Sequence, residues 1–504
     1  VAVVHPGPAR LGLSTLGWQA AYRLLAPEPG LAVERFFREQ ADQQPRSEDT
    51  RRTLASFPVL AFGAGFEEDL QAIVGMMLDA GVPVASTERP HFPLVLVGGP
   101  LAFLNPAPLA PFADAFWVGE AEAGLRELVL RWRDMFLAGA DKDQLLRAAA
   151  ATDHVYVPGR SAGPVARAVA ADLDDPAFSC FVSSKAEFKD TLLLEINRGC
   201  PYGCRFCAAG YIYRPPRSIS LEQAEAVVER TEPAKVGLVG TALTDWPPLL
   251  DFLHWLHERK IAFTLGSMRA DGLTDELAGF LRKKGLRTVT LALEGPSRRL
   301  RDAARKRLDE RDLLAAVTRC AAHGVNHLKL YLITGWPFET DADYDELDGF
   351  LGDIAAARDA GLGDRKKGYT RITLSASCLV PKPHTPLQWA PMAPLEALKS
   401  RLGRLKDMVR PRKGLALLAD NPSRARLQGL LARSGPEIAP LVEEAARSGS
   451  WRRAMRRMDV NEAAVLDRER GEHEPFPWEI VDPGADRALL RREWLRYKAA
   501  CGRR

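Results

Sequence analysis

The chain has 504 residues, 69 of them basic and 65 acidic, for a net charge of +4, and 46% of them are hydrophobic. That length exceeds one ordinary core and predicts two or three domains, while the near-balanced charge excludes a molecule built as a whole to bind nucleic acid. No window holds the ~18 apolar residues that a membrane helix needs, and the first residues show no basic region followed by an apolar run and a cleavage site, so a cytoplasmic protein is expected.

Local basic runs at 298–307, 401–413 and 452–457 read as solvated helix faces, which leaves nucleic acid an unlikely partner. Seven cysteines form an odd and sparse set, with three packed into 200–207 and Cys180, Cys320, Cys378 and Cys501 scattered. This suits a reducing compartment with one thiolate metal site better than a disulfide framework.

In chain order, residues 1–140 alternate apolar strands at 1–4, 59–62, 94–97 and 115–118 with helical patterns at 17–25, 67–80 and up to 137. Continuous apolar strands followed by glycines and helices predict an α/β domain with a doubly wound, largely parallel, Rossmann-like sheet. Ligands of such sheets lie beyond the strand C-termini, where Gly98, Gly99 and Gly119 fall; tight turns are the simpler reading of the same glycines. Residues 141–188 have mixed polarity and no sustained period, as a linker would. From 189 to 394 a second series begins, with strands at 192–196, 236–239, 263–265, 288–293, 328–333 and 372–375. Helical patterns at 221–230, 249–259, 274–284, 310–323 and 344–360 separate them. This predicts an open or partial β/α barrel of the TIM type, with its chemistry at the strand C-termini. The last region, 395–504, is helical and basic, with Trp451, Trp478 and Trp494 as packing anchors.

After the first barrel strand comes Glu195-Ile196-Asn197-Arg198-Gly199-Cys200-Pro201-Tyr202-Gly203-Cys204-Arg205-Phe206-Cys207. Thiolates at this spacing can wrap three corners of a [4Fe-4S] cubane, leaving one iron for a chelating amine and carboxylate. A structural zinc site is the alternative, but it would normally complete four ligands, and no matching cysteine pair follows downstream.

These residues resemble the radical S-adenosylmethionine (SAM) superfamily, whose signature is Cys-x-x-x-Cys-x-x-Cys with an aromatic residue before the last cysteine, here Phe206. The resemblance implies a [4Fe-4S] cluster on Cys200, Cys204 and Cys207, and SAM as cofactor. It also implies a low-potential electron donor such as flavodoxin or ferredoxin, and a 5′-deoxyadenosyl radical that takes a hydrogen atom from a small-molecule or peptide substrate. The backbone of Gly240-Thr241-Ala242 would receive the methionine amine, and Ser267, Arg269 and Glu294 would meet the ribose and carboxylate, with Lys306 as a further carboxylate partner. Gly335-Trp336-Pro337-Phe338-Glu339 would lie beside the adenine. Read singly, Ser267 or Glu294 could be a helix cap and Gly335 a turn residue.

The domain order further resembles the cobalamin-binding class of this superfamily, in which Gly98-Gly99-Pro100 and Gly119-Glu120-Ala121-Glu122 would frame the nucleotide tail. A branch of that class is similar through His5-Pro6, Leu16-Gly17-Trp18-Gln19, Asn105-Pro106-Ala107-Pro108 and Val380-Pro381-Lys382-Pro383-His384-Thr385-Pro386, but carries no reaction over. Class membership implies cobalamin as a further cofactor and methyl transfer to an unactivated carbon. The Asp-x-His-x-x-Gly sequence that supplies an axial histidine is absent, so His5 is not expected to bind cobalt. The alternatives are a cobalamin-free radical rearrangement, cyclisation or oxidation, an RNA-modifying enzyme, and a purely structural iron-sulfur protein. Lys382, His384, Gln388 and Trp389 are either a cavity rim for an anionic or aromatic substrate or a rigid connector.

Overall fold

Short apolar runs become strands in the first third of the chain because a parallel strand covered on both faces needs apolar side chains on both. The structure, a computed structural model, describes residues 1–364 and 370–502. Its first sheet contains β1 (Ala2–His5), β2 (Glu34–Phe37), β3 (Val59–Gly63), β4 (Leu94–Gly98), β5 (Ala115–Trp117) and β6 (Val155–Tyr156), in the order β2-β1-β3-β4-β5-β6. Only the β5–β6 pair is antiparallel. The winding reverses between β1 and β3, so the loops after these strands diverge and leave a crevice at their C-terminal ends.

Alternation along the strands divides the core. Val3, Leu94, Leu96 and Trp117 pack under helices Leu16–Leu25 and Leu125–Leu137, through Trp18, Leu128 and Trp132. Val4, Leu60, Phe62 and Val97 pack under helix Asp69–Asp79 and also under the distant helices Pro422–Arg433 and Ala439–Ser448. Gln71 donates to Ala445 O at 2.8 Å and Asn105 to Ala432 O at 3.0 Å, so the C-terminal region clasps the first domain.

Three elements depart from the expectation here. Strand β2 forms although Glu34-Arg35-Phe36-Phe37 is no continuous apolar run. The segment expected as a linker carries helix Lys142–Ala150, closed by an Asp141–Gln144 capping box, as well as β6. Lys142 is buried, 2.9 Å from Asp114 and 2.7 Å from Arg89 O, which fixes this helix to the sheet edge. Farther on, β7 (Val165–Ala166) pairs with β16 (Val481–Asp482) near the chain's end.

The barrel is built from two sheets. One holds β8 (Leu192–Arg198), β9 (Arg217–Ser218), β10 (Lys235–Gly240) and β11 (Ala262–Leu265) in the order β11-β10-β8-β9. The other holds β12 (Thr288–Glu294), β13 (His327–Thr334), β14 (Arg371–Cys378) and β15 (Leu415–Ala419) in sequence order. All pairs but β8–β9 are parallel, and a parallel bridge between Met268 and Leu291 links the sheets into an open half-barrel. Leu194, Leu238, Leu291, Leu330 and Leu374 face one continuous core beneath the helices. Strand β15 corrects the purely helical reading of 395–504. Trp478 and Trp494 are fully buried, as expected of anchors, and Trp451 is partly so. Arg401, Arg404 and Arg412 of one basic run pair with Asp341, Asp345 and Asp348 of helix Asp341–Leu362. Among the described residues no helix is long and apolar enough to cross a membrane.

Candidate active site

Strand β8 delivers the chain to the cysteine loop through Gly199, over which the Tyr213 carbonyl passes so closely that a Cβ would stand 2.3 Å from it. The three cysteines are unpaired and partly exposed. Burial pushes the Cys204 thiol up to about 11 against the pull of Lys306, and burial raises Cys207 as well. Iron would reverse that preference, since a coordinated thiol is deprotonated outright. Among the described residues no three His, Cys, Asp or Glu converge as on a single ion; a cubane instead takes its thiolates at separate corners. Three unpaired thiols on one loop, with the Lys306 cation favouring the thiolate of Cys204, therefore fit a cluster.

The loop is held from several sides. Arg205 donates to Glu493 at 2.9 Å and to Ala303 O at 2.5 Å. Tyr211 donates to Gly203 O at 3.1 Å. Phe206 meets Trp336 edge-on at 5.3 Å, and the Arg269 guanidinium lies 4.0 Å over the Tyr202 ring. Helix Arg487–Ala500, which supplies Glu493, also stacks Trp494 on Phe338 at 6.0 Å and donates from Tyr497 to Pro337 O at 2.9 Å. One terminal helix thus braces both the cysteine loop and the 335–339 turn. Burial pushes the Glu493 carboxyl up, but Arg205, Arg496 and Arg305 outweigh it and hold it below its ordinary value.

The residues expected around SAM lie at the barrel's C-terminal strand ends. Asn197 Oδ1 accepts from Thr241 N at 2.8 Å and from Ala242 N at 3.2 Å, and its Nδ2 donates to Ala242 O at 2.8 Å. The Thr241 hydroxyl donates to Gly199 O at 2.6 Å, tying this segment to the cysteine loop. A Cβ on Gly240 would stand 2.5 Å from Asn197 Oδ1. Ser267 is exposed just beyond β11. Arg269, besides stacking on Tyr202, is bound by Asp271 at 2.6 Å, so its charge is already engaged. Glu294, with φ of 71°, pairs with Lys306 at 3.1 Å. Gly335 has φ of 84°, a region that favours glycine, and a Cβ there would stand 2.5 Å from Leu398. Glu339 Oε2 closes the turn by accepting from Gly335 N and Trp336 N, both at 3.0 Å. Burial raises the Glu339 carboxyl despite those amides and Arg401.

The N-terminal sheet presents its own C-terminal strand ends to those of the barrel. Lys382, after β14, donates to Glu67, after β3, at 2.5 Å, and Gln428 donates to the same carboxylate at 2.9 Å. Glu120, after β5, is buried and binds Arg167 at 3.0 Å, Arg198 of β8 at 2.9 Å and Arg217 of β9 at 2.6 Å. Burial raises this carboxyl, and the arginines outweigh that and leave it lowered. A Cβ on Gly119 would lie 2.3 Å from Ala168 O, and Glu120 clasps the domains together. Gly98 does border open space, with nothing within 4 Å of a Cβ, while Gly99 abuts Ala64 O. Phe66, in the crevice loop after β3, is 70% exposed. His5 Nδ1 accepts from Gly7 N at 3.1 Å and its Nε2 meets the Thr15 hydroxyl at 3.3 Å, so both nitrogens are occupied within their own loop.

The 380–389 segment is packed inward. Burial drives the His384 imidazole down to about 3, and Gln388 Oε1 accepts from His384 N and Trp478 Nε1, each at 3.0 Å. Trp389 is fully buried against Phe476. Packing decides here for the rigid connector.

A family model for the N-terminal part of radical SAM proteins matches residues 17–158, and one for the radical SAM superfamily matches residues 194–351, which include all three cysteines and Glu294. The chain belongs to the radical SAM superfamily. As a radical SAM enzyme it uses a [4Fe-4S] cluster and SAM, for which the cysteine loop and the strand ends just described are the fitting residues. An uncharacterised protein of Methanocaldococcus jannaschii, MJ0966, is 28% identical over 394 residues, 76% of this chain and 78% of that one. TsrM, a radical SAM methyltransferase from Kitasatospora setae, is similar in structure. Its form with tryptophan substrate and a SAM analogue gives a TM-score of 0.57 at 11% identity, covering 91% of this chain and 98% of that one. Its form with cobalamin and a [4Fe-4S] cluster gives 0.54 at 12%, covering 90% and 99%. At such identity the likeness is one of fold.

Two residues that hold this region together lay outside sequence reasoning. Asn197 carried a weak signal, a neutral amide near the end of an otherwise apolar strand. Glu493 carried none, since its partner Arg205 lies 288 residues away.

Proposed function

We propose that this radical SAM enzyme is cobalamin-dependent and transfers a methyl group to an unactivated carbon. The observation that carries the reading is the meeting of two sets of strand C-termini, those of the doubly wound sheet and those of the half-barrel, across Glu67–Lys382 and Glu120–Arg198. Ligands of both architectures lie at these ends, so a cofactor of one would face the cofactor of the other. The open Gly98 and the exposed Phe66 fit a large planar ligand there, and the occupied nitrogens of His5 fit one without an axial histidine from that loop. The structural similarity to TsrM, whose structure holds cobalamin and a cluster, supports the same reading.

When bound, the cluster and SAM supply reductive cleavage of the C5′–S bond, and cobalamin supplies a methyl carrier. The chain's own residues position the groups. Cys200, Cys204 and Cys207 hold the cluster, Gly240-Thr241-Ala242 and the Glu294–Lys306 pair bind the amino-acid end of SAM, and the 335–339 turn bounds its adenine.

The test is titration of hydroxocobalamin into anaerobic protein with an intact cluster, followed by gel filtration. We expect retention with the lower base displaced from cobalt, weakened by Gly98→Leu and unchanged by His5→Ala. Loss of cobalamin on the column from cluster-containing protein would favour the cobalamin-free radical chemistries.

A further inference from the structure

Alternate residues on the half-barrel strands face away from the helices and into the lumen. On β13 the helix-facing positions Leu328, Leu330 and Leu332 are buried, which leaves Lys329 and Tyr331 on the inner face. Register aligns Lys329 with Thr290 on one side and Thr373 on the other, and it aligns Tyr331 with Ser375 and, through that residue, with Leu418 of β15. This wall combines a cation and hydroxyls in one layer with apolar surface in the next, toward the strand ends.

Two observations show that the wall is unfinished. Tyr331 is 36% exposed and Leu418 56% exposed, and Val239, on an inner position of β10, is 39% exposed. Large apolar side chains left open inside a barrel mark a surface awaiting a partner. Lys329, for its part, has no carboxylate within ion-pair distance among the described residues, and its ammonium lies 5.1 Å from the Tyr331 ring. Arg371, in the layer below, adds positive charge, while burial together with Arg371 and Lys329 lowers the pKa of the His327 imidazole beside it, whose ring is bound to the Thr373 hydroxyl at 2.9 Å. The inner-face carboxylates are neutralised elsewhere, Glu195 by Arg198 and Glu294 by Lys306.

We propose that this lumen takes an amphipathic anion, its carboxylate or phosphate on Lys329 and its apolar body against Tyr331 and Leu418. The proposal rests on the radical SAM reading for the reaction, but the binding does not need the cluster. In this position the apolar part of the substrate lies between the anchoring cation and the strand ends that carry SAM.

The test uses isothermal titration of the full-length anaerobic holoenzyme with 2-naphthoate, 2-naphthyl phosphate and the neutral 2-naphthamide. A hydrogen bond to a charged group is worth roughly ten- to a hundredfold in affinity, so at least one anion should bind about tenfold or more tighter than the amide. The tighter of the two assigns carboxylate or phosphate. Lys329→Met should erase the preference and Lys329→Arg should keep it, while Tyr331→Ala should weaken all three probes by a similar factor. The proposal is overturned if neither anion binds better than the amide, or if Lys329→Met retains the preference. Iron content and release of 5′-deoxyadenosine from SAM are measured on the same preparations. Protein that discriminates the probes but releases no 5′-deoxyadenosine from SAM would count against the reaction proposed above and leave the lumen proposal standing. Protein with cluster and SAM cleavage but no anion preference does the reverse.

Discussion

Glu493→Ala should loosen the cysteine loop from 288 residues away. The carboxylate binds Arg205 at 2.8 Å, Arg305 at 3.3 Å and Arg496 at 2.5 Å. Arg305 and Arg496 retain side-chain exposures of 36% and 65% and can turn to water when the carboxylate is gone. Arg205 is buried and cannot, so it is left with the Ala303 carbonyl as a neutral partner for a full charge. Removing one partner of a buried ion pair costs about 3–5 kcal/mol, and we take the lower end because that carbonyl bond persists. Released locally, ~3 kcal/mol corresponds to about a hundredfold loss of hydrogen-exchange protection. Exchange measured by mass spectrometry on anaerobically reconstituted protein should show it in helix Arg487–Ala500 and in the 200–210 loop together, with faster loss of iron to a chelator. The double replacement Arg205→Met with Glu493→Met removes both buried charges and should recover most of the protection. Protection in both segments within about threefold of the parent after Glu493→Ala would refute the reasoning.

Three further outcomes are expected. Joint replacement of Cys200, Cys204 and Cys207 by alanine should abolish iron and sulfide binding, which is about four of each in the parent, whereas single replacement of Cys180, Cys320, Cys378 or Cys501 should leave the cluster; elemental and sulfide analysis decides, and tight zinc without sulfide would contradict the assignment. Glu294→Ala and Gly335→Val should each weaken SAM binding in equilibrium dialysis while iron content holds, the first by removing the carboxylate that meets SAM and orients Lys306 and the second by driving a Cβ to within 2.5 Å of Leu398; normal SAM affinity in both would move the cradle elsewhere. His384, depressed to about 3 by burial, binds a proton in the unfolded chain below about 6.5 but in the folded chain only near 3. It therefore lowers stability by roughly 1.4 kcal/mol per pH unit as pH falls between those limits. His384→Asn, which suits the φ of 54° at this position, should flatten the acid limb of a denaturation-midpoint profile between pH 6 and 4, and an unchanged limb would mean that the imidazole protonates in place.

What the sequence determined by itself was local. The apolar strands of both series and the helices between them were legible because side-chain direction repeats every two or 3.6 residues and needs no knowledge of the partner. The cysteine spacing was legible for the same reason, since three ligands of one cluster lie within eight residues of chain. Tertiary structure decided the rest. Leu415–Ala419 is an apolar run among helical patterns that becomes a strand only because the edge of β14 is there to pair with it. Helix Lys142–Ala150 is fixed by burying its lysine on Asp114, a pairing that periodicity does not announce. Glu120 reads in sequence as a strand-end acid and is, in the fold, the knot between two domains, because three arginines from separate segments converge on it. Lys382, His384, Gln388 and Trp389 have the composition of a binding rim, yet Lys382, Gln388 and Trp389 engage Glu67, Trp478 and Phe476, and His384 is buried. The lumen wall of Lys329, Tyr331 and Leu418 was equally out of reach, since which face of a strand is covered depends on the helices that arrive to cover the other. Charged and polar side chains choose partners by proximity in the folded chain, and proximity across tens or hundreds of residues leaves no mark on local spacing.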